Sequence, residues 1–315
     1  MWRFILIRLA GGAVTLVLAS FIVFGAMYLV PGDPLSNLIG GMNITSEQIA
    51  IIRNQYGLDL PFWERYVVWA TGAVRGDFGL SLQFQQNVTN LIASRIPTTA
   101  MLVVMSTVWI VLGGLVLGAV AAFKAGRVDR AIIGTTAITA AVPVFITSLL
   151  LIYTFSVGLR WFPAFGNGTG FWDQVYHLVL PSLAMGIFYI GLVTRTTRAA
   201  MRTELESDYV AVARIRGIVG RPLFSRHIFR TSLPTIMTLS SVLIAGMLVS
   251  SQIVEVSFGL SGIGSLLIQS VKSVDFAVVQ AITMLVITVF VVTNLIVDLL
   301  MPLIDPRVVR GGGNR

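Results

Sequence analysis

The side chains most able to bind another molecule lie in one basic segment, residues 195–234, between two apolar runs. Only 11% of the chain is charged, yet eight of its 22 lysines and arginines fall within this segment. These eight are Arg195, Arg198, Arg202, Arg214, Arg216, Arg221, Arg226 and Arg230. We call residues 195–234 the platform. A positive, helix-prone surface in an apolar protein is suited to docking a partner protein or to holding lipid headgroups beside it.

Side chains for catalysis or metal binding are scarce. The chain has no cysteine, and its two histidines, His177 and His227, lie in separate segments. Neither a metal site nor a pair of nucleophile and base is therefore indicated. The two lysines, Lys124 and Lys272, do not follow the glycines of a phosphate-binding loop. The sequence predicts a non-catalytic chain without a cofactor, and nucleotide hydrolysis is expected only on another protein.

Local signals predict two helices within the platform. Ser207 is predicted to cap the first helix, Asp208 gives it a negative first turn, and Gly217 is predicted to end or bend it. After the turn signal of residues 220–222, a second helix is expected to lead into Leu233-Pro234. Three small residues, which permit close approach by another protein, lie in the first helix: Ala211, Ala213 and Gly217.

The rest of the chain is suited to a lipid environment. Its mean hydropathy of +0.86 and its 56% of hydrophobic residues are far above those of soluble proteins. A helix needs about 20 apolar residues to cross a bilayer, and continuous apolar runs favour helices over a barrel. We therefore predict an all-α membrane protein with six transmembrane helices, the first of them retained rather than cleaved as a signal peptide. The six runs are residues 10–30, 99–123, 131–157, 178–194, 233–254 and 277–300.

The distribution of basic residues predicts the orientation. With the N-terminus inside, 16 of the 22 lysines and arginines fall on the inner side, so both termini and the platform are expected in the cytoplasm. The predicted parts are an N-terminal helix (1–30), an extracytoplasmic loop (31–97), a five-helix core with the platform (98–305) and a cytoplasmic tail (306–315). Helices are expected near 45–56 and 61–74, and the aromatic residues of 158–177 are expected at the headgroup level.

The acidic residues argue against ion coupling within this chain. Asp298 is the one acid that we assign to a predicted span, near its cytoplasmic end. Ion-coupled transporters usually hold acids or histidines at membrane depth, whereas Asp298 is expected to pair with Arg307 or a neighbouring loop. A self-contained channel or secondary transporter is therefore the first alternative to a subunit driven from outside. A membrane-embedded enzyme is the second alternative, and the missing base and metal ligands disfavour it.

The platform also carries a recognisable motif. Its sequence resembles the cytoplasmic EAA loop of ABC importer permeases, in the branch that takes up dipeptides, oligopeptides and nickel. The matching residues are Tyr209, Val210, Ala213, Arg214, Gly217, Arg226, His227, Arg230, Leu233 and Pro234. Further signatures of the first permease subunit of that branch are residues 31–34, 56–59 with Pro61, 75–79 with Ser81, 95–97, Asn294, Asp298 and 305–307. The chain departs from the pattern at Ala211 and Val212, which replace a glutamate and an alanine, and at Ser261, which replaces a proline.

The resemblance implies a type I ABC importer-like permease in the bacterial cytoplasmic (inner) membrane. Its implied partners are a second homologous permease, two ABC ATPase subunits that bind ATP and Mg, an extracytoplasmic solute-binding protein and a peptide substrate, but no nucleic acid. The EAA helix is expected to enter an ATPase groove, with Ala213 and Gly217 at the closest approach. The residues expected to couple the chain to the ATPases are Asp208, Tyr209, Val210, Ala213, Arg214, Arg216, Gly217, Arg226, His227, Arg230 and Pro234.

Overall fold

The computed structural model describes residues 2–29, 47 and 60–304. Within those ranges the regular elements are helices, apart from one antiparallel bridge between Leu80 and Asn87. The helices are α1 (Trp2–Leu29), α2 (Phe62–Val74), α3 (Val88–Phe123), α4 (Arg127–Ala141), α5 (Val144–Leu151), α6 (Phe171–Leu205), α7 (Asp208–Ile215), α8 (Arg230–Ser257), α9 (Ile263–Lys272) and α10 (Phe276–Ile304). Two segments are π-helical: Ile152–Gly158, which continues α5, and Leu223–Phe229, which follows the short turn Gly220–Pro222 and runs into α8.

Within the described residues, the six predicted apolar runs fall on helices, apart from a break at Val142 and Pro143 in the third run. Four helices of the described ranges are long and apolar enough to cross a membrane, namely α1, α3, α6 and α10. A bent pair, Arg127–Ala141 with Val144–Gly158, is a candidate for a fifth span. The remaining predicted run lies within α8, whose 28 residues give it a length of about 42 Å. α8 is therefore longer than the hydrocarbon core of a bilayer, which is about 30 Å thick.

The third predicted span is broken rather than straight. Its two halves meet at an angle of 98°, and the break lies at Val142 and Pro143. Proline has no backbone N–H to continue the helix, and it drives the preceding residue out of the helical conformation. Val142 accordingly has an extended backbone, with φ −78° and ψ 124°. The run of apolar residues gave the correct location, but Pro143 divides it into α4 and α5.

Two helices are longer than the apolar runs that predict them. α6 has 35 residues although its apolar run has only 17, so the first part of the platform, residues 195–205, continues a membrane helix. α3 begins at Val88, because the Asn87 side chain accepts a hydrogen bond of 2.8 Å from the Thr89 N–H and caps the helix. Residues 88–97 of the predicted extracytoplasmic loop are therefore helical, with Pro97 inside α3.

The core lies where α3, α6 and α8 pack together, and α3 and α6 approach most closely at two glycines. A Cβ atom on Gly114 would lie 2.5 Å from Cγ1 of Val193, and one on Gly118 would lie 2.5 Å from Cβ of Thr197. Gly114 and Gly118 are four residues apart and so share one face of α3, the GxxxG spacing that brings membrane helices together. The backbones of α3 and α6 can be this close only because neither position carries a side chain.

Helix α2 packs on α1 through aromatic rings. Phe21 and Phe24 of α1 lie with ring centroids 5.4–5.9 Å from Phe62 and Tyr66 of α2, mostly in edge-to-face arrangements. The predicted helix at 61–74 is thereby confirmed, and its aromatic face covers α1. The other predicted helix of this region, near 45–56, lies outside the described residues apart from Glu47.

The two ends of the bundle differ in chemistry. We call the end that carries the platform the basic end and the opposite end the far end. The far end includes the loop of residues 159–170 and the turn of residues 258–262, which are joined by a 3.0 Å hydrogen bond from the Gly166 N–H to the Phe258 carbonyl. Helix α8 connects the two ends directly.

Candidate functional site

The platform contains one short helix, α7, whose first turn differs from the prediction. The helix begins at Asp208 as expected, and the aspartate at its start complements the helix dipole. However, the Ser207 side chain does not cap the helix, because its hydroxyl donates a 2.5 Å hydrogen bond to the Glu204 carbonyl at the end of α6. Ser207 therefore stabilises the turn between α6 and α7, and its predicted capping role is wrong.

The end of α7 is fixed by Gly217, as predicted. Gly217 has a φ of +80°, and its N–H donates to the Arg214 carbonyl at 2.9 Å. The Ile218 N–H donates to the Ala213 carbonyl at 3.0 Å, which completes a Schellman motif. A side chain at this position would be strained by the backbone conformation alone. The end of α7 therefore accounts for a glycine at position 217 without any contact with a partner.

The inner face of α7 packs on the rest of the chain. Val210 is 0% exposed and Ala213 is 4% exposed. They belong to a hydrophobic cluster completed by Ala122, Met201, Leu223 and Ile228. The expectation that Ala213 makes the closest approach to a partner does not fit this burial, since its side chain is already covered. Val210 and Ala213 instead hold α7 on α3, α6 and the π-helical segment.

The outer face of α7 and the turn that follows it expose a row of apolar side chains. Ile215 is 85% exposed and Val219 is 65% exposed, and Val212 lies one helical turn before Ile215. We call Val212, Ile215 and Val219 the apolar row. Arg214 and Arg216 are also exposed and flank the row. A hydrophobic residue as exposed as Ile215, surrounded by charge at the basic end, is typical of a surface that a partner covers.

Tyr209 links α7 to the helices on either side. Its hydroxyl contacts the Glu204 carboxylate of α6 and lies 2.9 Å from the His227 carbonyl and 3.2 Å from the Thr231 hydroxyl of α8. Burial and the neighbouring Glu204 carboxylate raise the pKa of the Tyr209 phenol above its usual range. The hydroxyl therefore keeps its proton and remains a hydrogen-bond donor. The hydroxyl thus connects α7 with the end of α6 and with the start of α8.

The remaining predicted coupling residues follow α7. Arg226 and Arg230 are exposed, and His227 is partly buried where its carbonyl accepts from Tyr209 and Thr231. Pro234 lies inside the first turns of α8 and is partly buried. The structure thus brings the predicted residues of α7 and of the π-helical segment together through Tyr209 and the hydrophobic cluster.

Two other platform arginines are engaged within the chain. Arg198 holds the Asp129 carboxylate in a two-pronged ion pair, with both N–O distances at 2.5 Å. Arg202 lies 3.4 Å from the same carboxylate. This cluster joins the start of α4 to the end of α6. Arg198 and Arg202 therefore stabilise the bundle at its basic end and do not belong to the exposed part of the platform.

The acid of the last span, Asp298, pairs with α1. Its carboxylate lies 2.8 Å from Nη1 of Arg8, and both side chains are partly exposed. The predicted partner Arg307 lies outside the described residues. The pair joins α1 to α10, which pack along each other.

We expect Asp298→Asn to leave complex assembly and transport close to the wild-type level, because a charged pair near the ends of two spans can reach the membrane surface at modest cost. Transport at several pH values measures this, with Arg8→Gln as the matched variant on the other side of the pair. A loss of transport together with a changed pH profile in Asp298→Asn alone would contradict the structural role and point to ion coupling.

Two further acids are buried, although the apolar pattern places both in outer segments. Glu255, at the end of α8, is 0% exposed, whereas the apolar pattern stops at residue 254 and leaves it in an outer segment. Asp275, between α9 and α10, is also buried and accepts a 2.5 Å hydrogen bond from the Ser81 hydroxyl. The sequence does contain one signal for the burial of Glu255, namely the two glycines of Gly262-Ile263-Gly264, since small residues permit a close approach to a buried group.

The chain matches two family models that together span most of its length. The model described as "Binding-protein-dependent transport system inner membrane component" matches residues 114–310, and its N-terminal companion matches residues 1–103. The chain belongs to this family. It is therefore an integral inner-membrane protein and the permease component of an ABC importer, as the platform motif predicted. Such a permease works with an ATPase and a substrate-binding protein.

Relatives of known name match the permease over nearly its whole length. It is 34% identical over 309 residues to the "Glutathione transport system permease protein GsiC" of Escherichia coli (strain K12), which covers 98% of this chain and 99% of the relative. It is 32% identical over 311 residues to the "Probable peptide ABC transporter permease protein y4tP" of Sinorhizobium fredii (strain NBRC 101917 / NGR234), covering 97% and 98%. These matches confirm the predicted peptide, oligopeptide and nickel branch.

A solved structure shares the fold of the permease. A chain from "Inward facing conformations of the MetNI methionine ABC transporter" superposes with a TM-score of 0.51 at 14% identity, covering 70% of this chain and 95% of that chain. The predicted all-α, type I importer fold is thereby confirmed.

Proposed function

We propose that this permease subunit couples ATP hydrolysis on two separate ABC ATPase subunits to the import of di- or oligopeptides. It forms the transport pathway with a second homologous permease, and an extracytoplasmic solute-binding protein delivers the peptide. ATP and Mg bind to the ATPase subunits, and this chain is non-catalytic.

The observation that carries the proposal is the exposed apolar row on α7 and the turn that follows it. Ile215 and Val219 are mostly exposed and Val212 is about half exposed, and a partner that buried a fully exposed side chain of this size would gain about 1.5–3 kcal/mol. Arg214 and Arg216 at the edge of the row fix the registry of the contact more than its affinity. The ATPase groove therefore receives the outer face of α7, while the inner face keeps α7 attached to the permease.

The predicted coupling residues divide between contact and support. Arg214, Arg216 and the apolar row meet the ATPase, and Arg226 and Arg230 extend the positive surface beyond α7. The supporting residues set the position of α7 and carry its movement into the bundle: Asp208, Tyr209, Val210, Ala213, Gly217, His227 and Pro234. In this division, substitutions of contact residues release the ATPase, whereas substitutions of supporting residues weaken coupling.

The names of the similar permeases support a peptide as the proposed substrate. One is described as a glutathione permease and another as a probable peptide permease, and both match this chain over almost all of its length. Glutathione is itself a small peptide, so a di- or oligopeptide is the substrate class common to both descriptions.

The proposed orientation places the platform and both termini in the cytoplasm, since 16 of 22 basic residues then lie on the inner side. The chain has no cysteine, so single cysteines introduced at Asn87 and Gly312 are unique labelling sites within it. We expect a membrane-impermeant thiol reagent to label Asn87→Cys from outside intact cells and Gly312→Cys only after permeabilisation. Labelling of both positions from the same side would refute the orientation.

Co-purification tests the proposed assembly. The tagged permease, expressed together with the ATPase and second permease genes of its own chromosomal neighbourhood, should retain both proteins after size-exclusion chromatography. Purification of the permease as a stable, transport-competent species without any ATPase would contradict the proposal.

A further inference from the structure

Glu255 is a buried acid at the far end that the coupling surface does not use. Its side chain is 0% exposed, and it lies near the last turn of α8. Burial of a carboxylate is costly unless hydrogen bonds compensate it, so a fully buried glutamate must be held by specific partners. The same helix begins at Arg230, directly after the platform's π-helical segment, and spans about 42 Å.

Besides Ser251 of its own helix, Glu255 has hydrogen-bond partners on two other helices. The Thr99 hydroxyl of α3 donates to Oε1 at 2.6 Å, and the Ser265 N–H at the start of α9 donates to Oε2 at 2.8 Å. The Thr99 hydroxyl oxygen in turn accepts from the Ile263 N–H at 2.8 Å. These hydrogen bonds tie the end of α8, the fourth turn of α3 and the first turn of α9 to one carboxylate. Both carboxylate oxygens accept hydrogen bonds here, whereas an amide in the same place would turn an N–H₂ group toward one of these donors.

The backbone around Glu255 is shaped to admit the carboxylate. A Cβ atom on Gly262 would lie 2.4 Å from the carboxyl carbon of Glu255, and one on Gly264 would lie 2.4 Å from Cα of Gln252. Real Cβ atoms do not approach this closely, so any side chain at either position would push α9 away from α8. The turn before α9 therefore packs directly against α8 and against the Glu255 side chain.

We propose that Glu255 is a positioning residue that joins α3, α8 and α9 into one body at the far end, so that a movement of the platform reaches the far end through α8. The platform contacts the other end of α8 through Tyr209, whose hydroxyl lies 3.2 Å from Thr231. A continuous α-helix transmits displacement along its axis, and the Glu255 carboxylate passes it to α3 and α9. This inference rests on the proposed function, because it requires ATPases that move the platform.

The test uses the assembled transporter with its solute-binding protein. We expect Glu255→Gln to leave assembly and basal ATP hydrolysis intact but to lower the stimulation of ATP hydrolysis by the solute-loaded binding protein at least about fivefold, the lower range of coupling between distant sites. The glutamine amide turns its N–H₂ group toward either the Thr99 hydroxyl or the Ser265 N–H, so one of these two hydrogen bonds is lost. Thr99→Val removes the hydroxyl that donates to Oε1 and should have the same effect. Thr99→Ser keeps this hydroxyl and should show wild-type stimulation.

The outcomes separate this inference from the proposed function. A wild-type complex whose ATP hydrolysis does not respond to the binding protein would overturn the proposed function itself. A responsive wild type with an equally responsive Glu255→Gln would overturn only the role of Glu255. If Glu255→Gln fails to assemble, the pair Thr99→Val and Thr99→Ser decides: reduced stimulation in the valine variant alone supports the inference, and equal stimulation in both overturns it. The double variant Glu255→Gln with Thr99→Val should show the same stimulation of ATP hydrolysis as Glu255→Gln alone, because both substitutions break one shared contact.

Discussion

Replacing Ile215 by aspartate is expected to release the ATPase subunits from the transporter. Ile215 is 85% exposed on the outer face of α7, so the substitution leaves the fold of the permease unchanged. In the complex, the variant loses the burial of one large apolar side chain and places a charge in the contact. The loss of about 2 kcal/mol or more corresponds to an affinity at least about 30-fold weaker. Titration of the ATPase subunit against the permease in nanodiscs measures it.

The control variant is Thr203→Asp, which adds the same charge at an exposed position of α6 at the basic end, outside α7. It should bind the ATPase as the wild type does. Ile215 is a better probe than Ala213 or Gly217, because a large side chain at Ala213 would disrupt the hydrophobic cluster and any side chain at Gly217 would strain the helix end. Wild-type ATPase affinity and coupled transport in Ile215→Asp would show that α7 is only a charged anchor for the topology.

Replacing Gly118 by leucine is expected to prevent stable folding of the bundle. A Cβ atom there would already lie 2.5 Å from Cβ of Thr197 and 2.8 Å from the Thr194 carbonyl oxygen, so α3 and α6 would have to separate. The cost is about 3 kcal/mol, the upper range for overpacking of a core. The protein should be recovered from membranes in low yield, and its detergent-solubilised form should aggregate at a lower temperature.

Gly134→Leu provides the matched control, because Gly134 is also inside a helix but has nothing within 4 Å of its added Cβ. This variant should be recovered at the wild-type level, since leucine favours a helix more than glycine does. Equal recovery and thermal stability of the two leucine variants would contradict the close packing of α3 on α6.

The sequence predicts the fold well where a single local signal decides it. Continuous apolar runs locate the membrane helices, because a segment that crosses a bilayer must satisfy its own backbone groups, and a continuous apolar segment does so as a helix. Gly217 ends α7 as predicted, because a left-handed residue is needed at a helix end regardless of what surrounds it. The platform motif led to the family for the same reason: its spacing is a local property of the chain.

The sequence is less informative where tertiary contacts decide. Ala213 was expected to face a partner, but apolar residues lie on both faces of α7 and only the fold shows that its side chain is buried. Glu255 was assigned to an outer segment because hydropathy cannot show that Thr99 and Ser265 surround it with donors. The bend at Pro143 does not follow from hydropathy, because the apolar run is long enough to span the membrane with the proline inside it.

The most direct test of the account is ATP-driven uptake into proteoliposomes. The permease is reconstituted with its second permease and ATPases, with ATP and Mg on the platform side and a labelled di- or oligopeptide with the solute-binding protein on the other side. We predict uptake that requires ATP and the binding protein and that is abolished by Ile215→Asp but not by Thr203→Asp. Peptide uptake by this chain alone, or uptake driven by an ion gradient without ATP, would contradict the account.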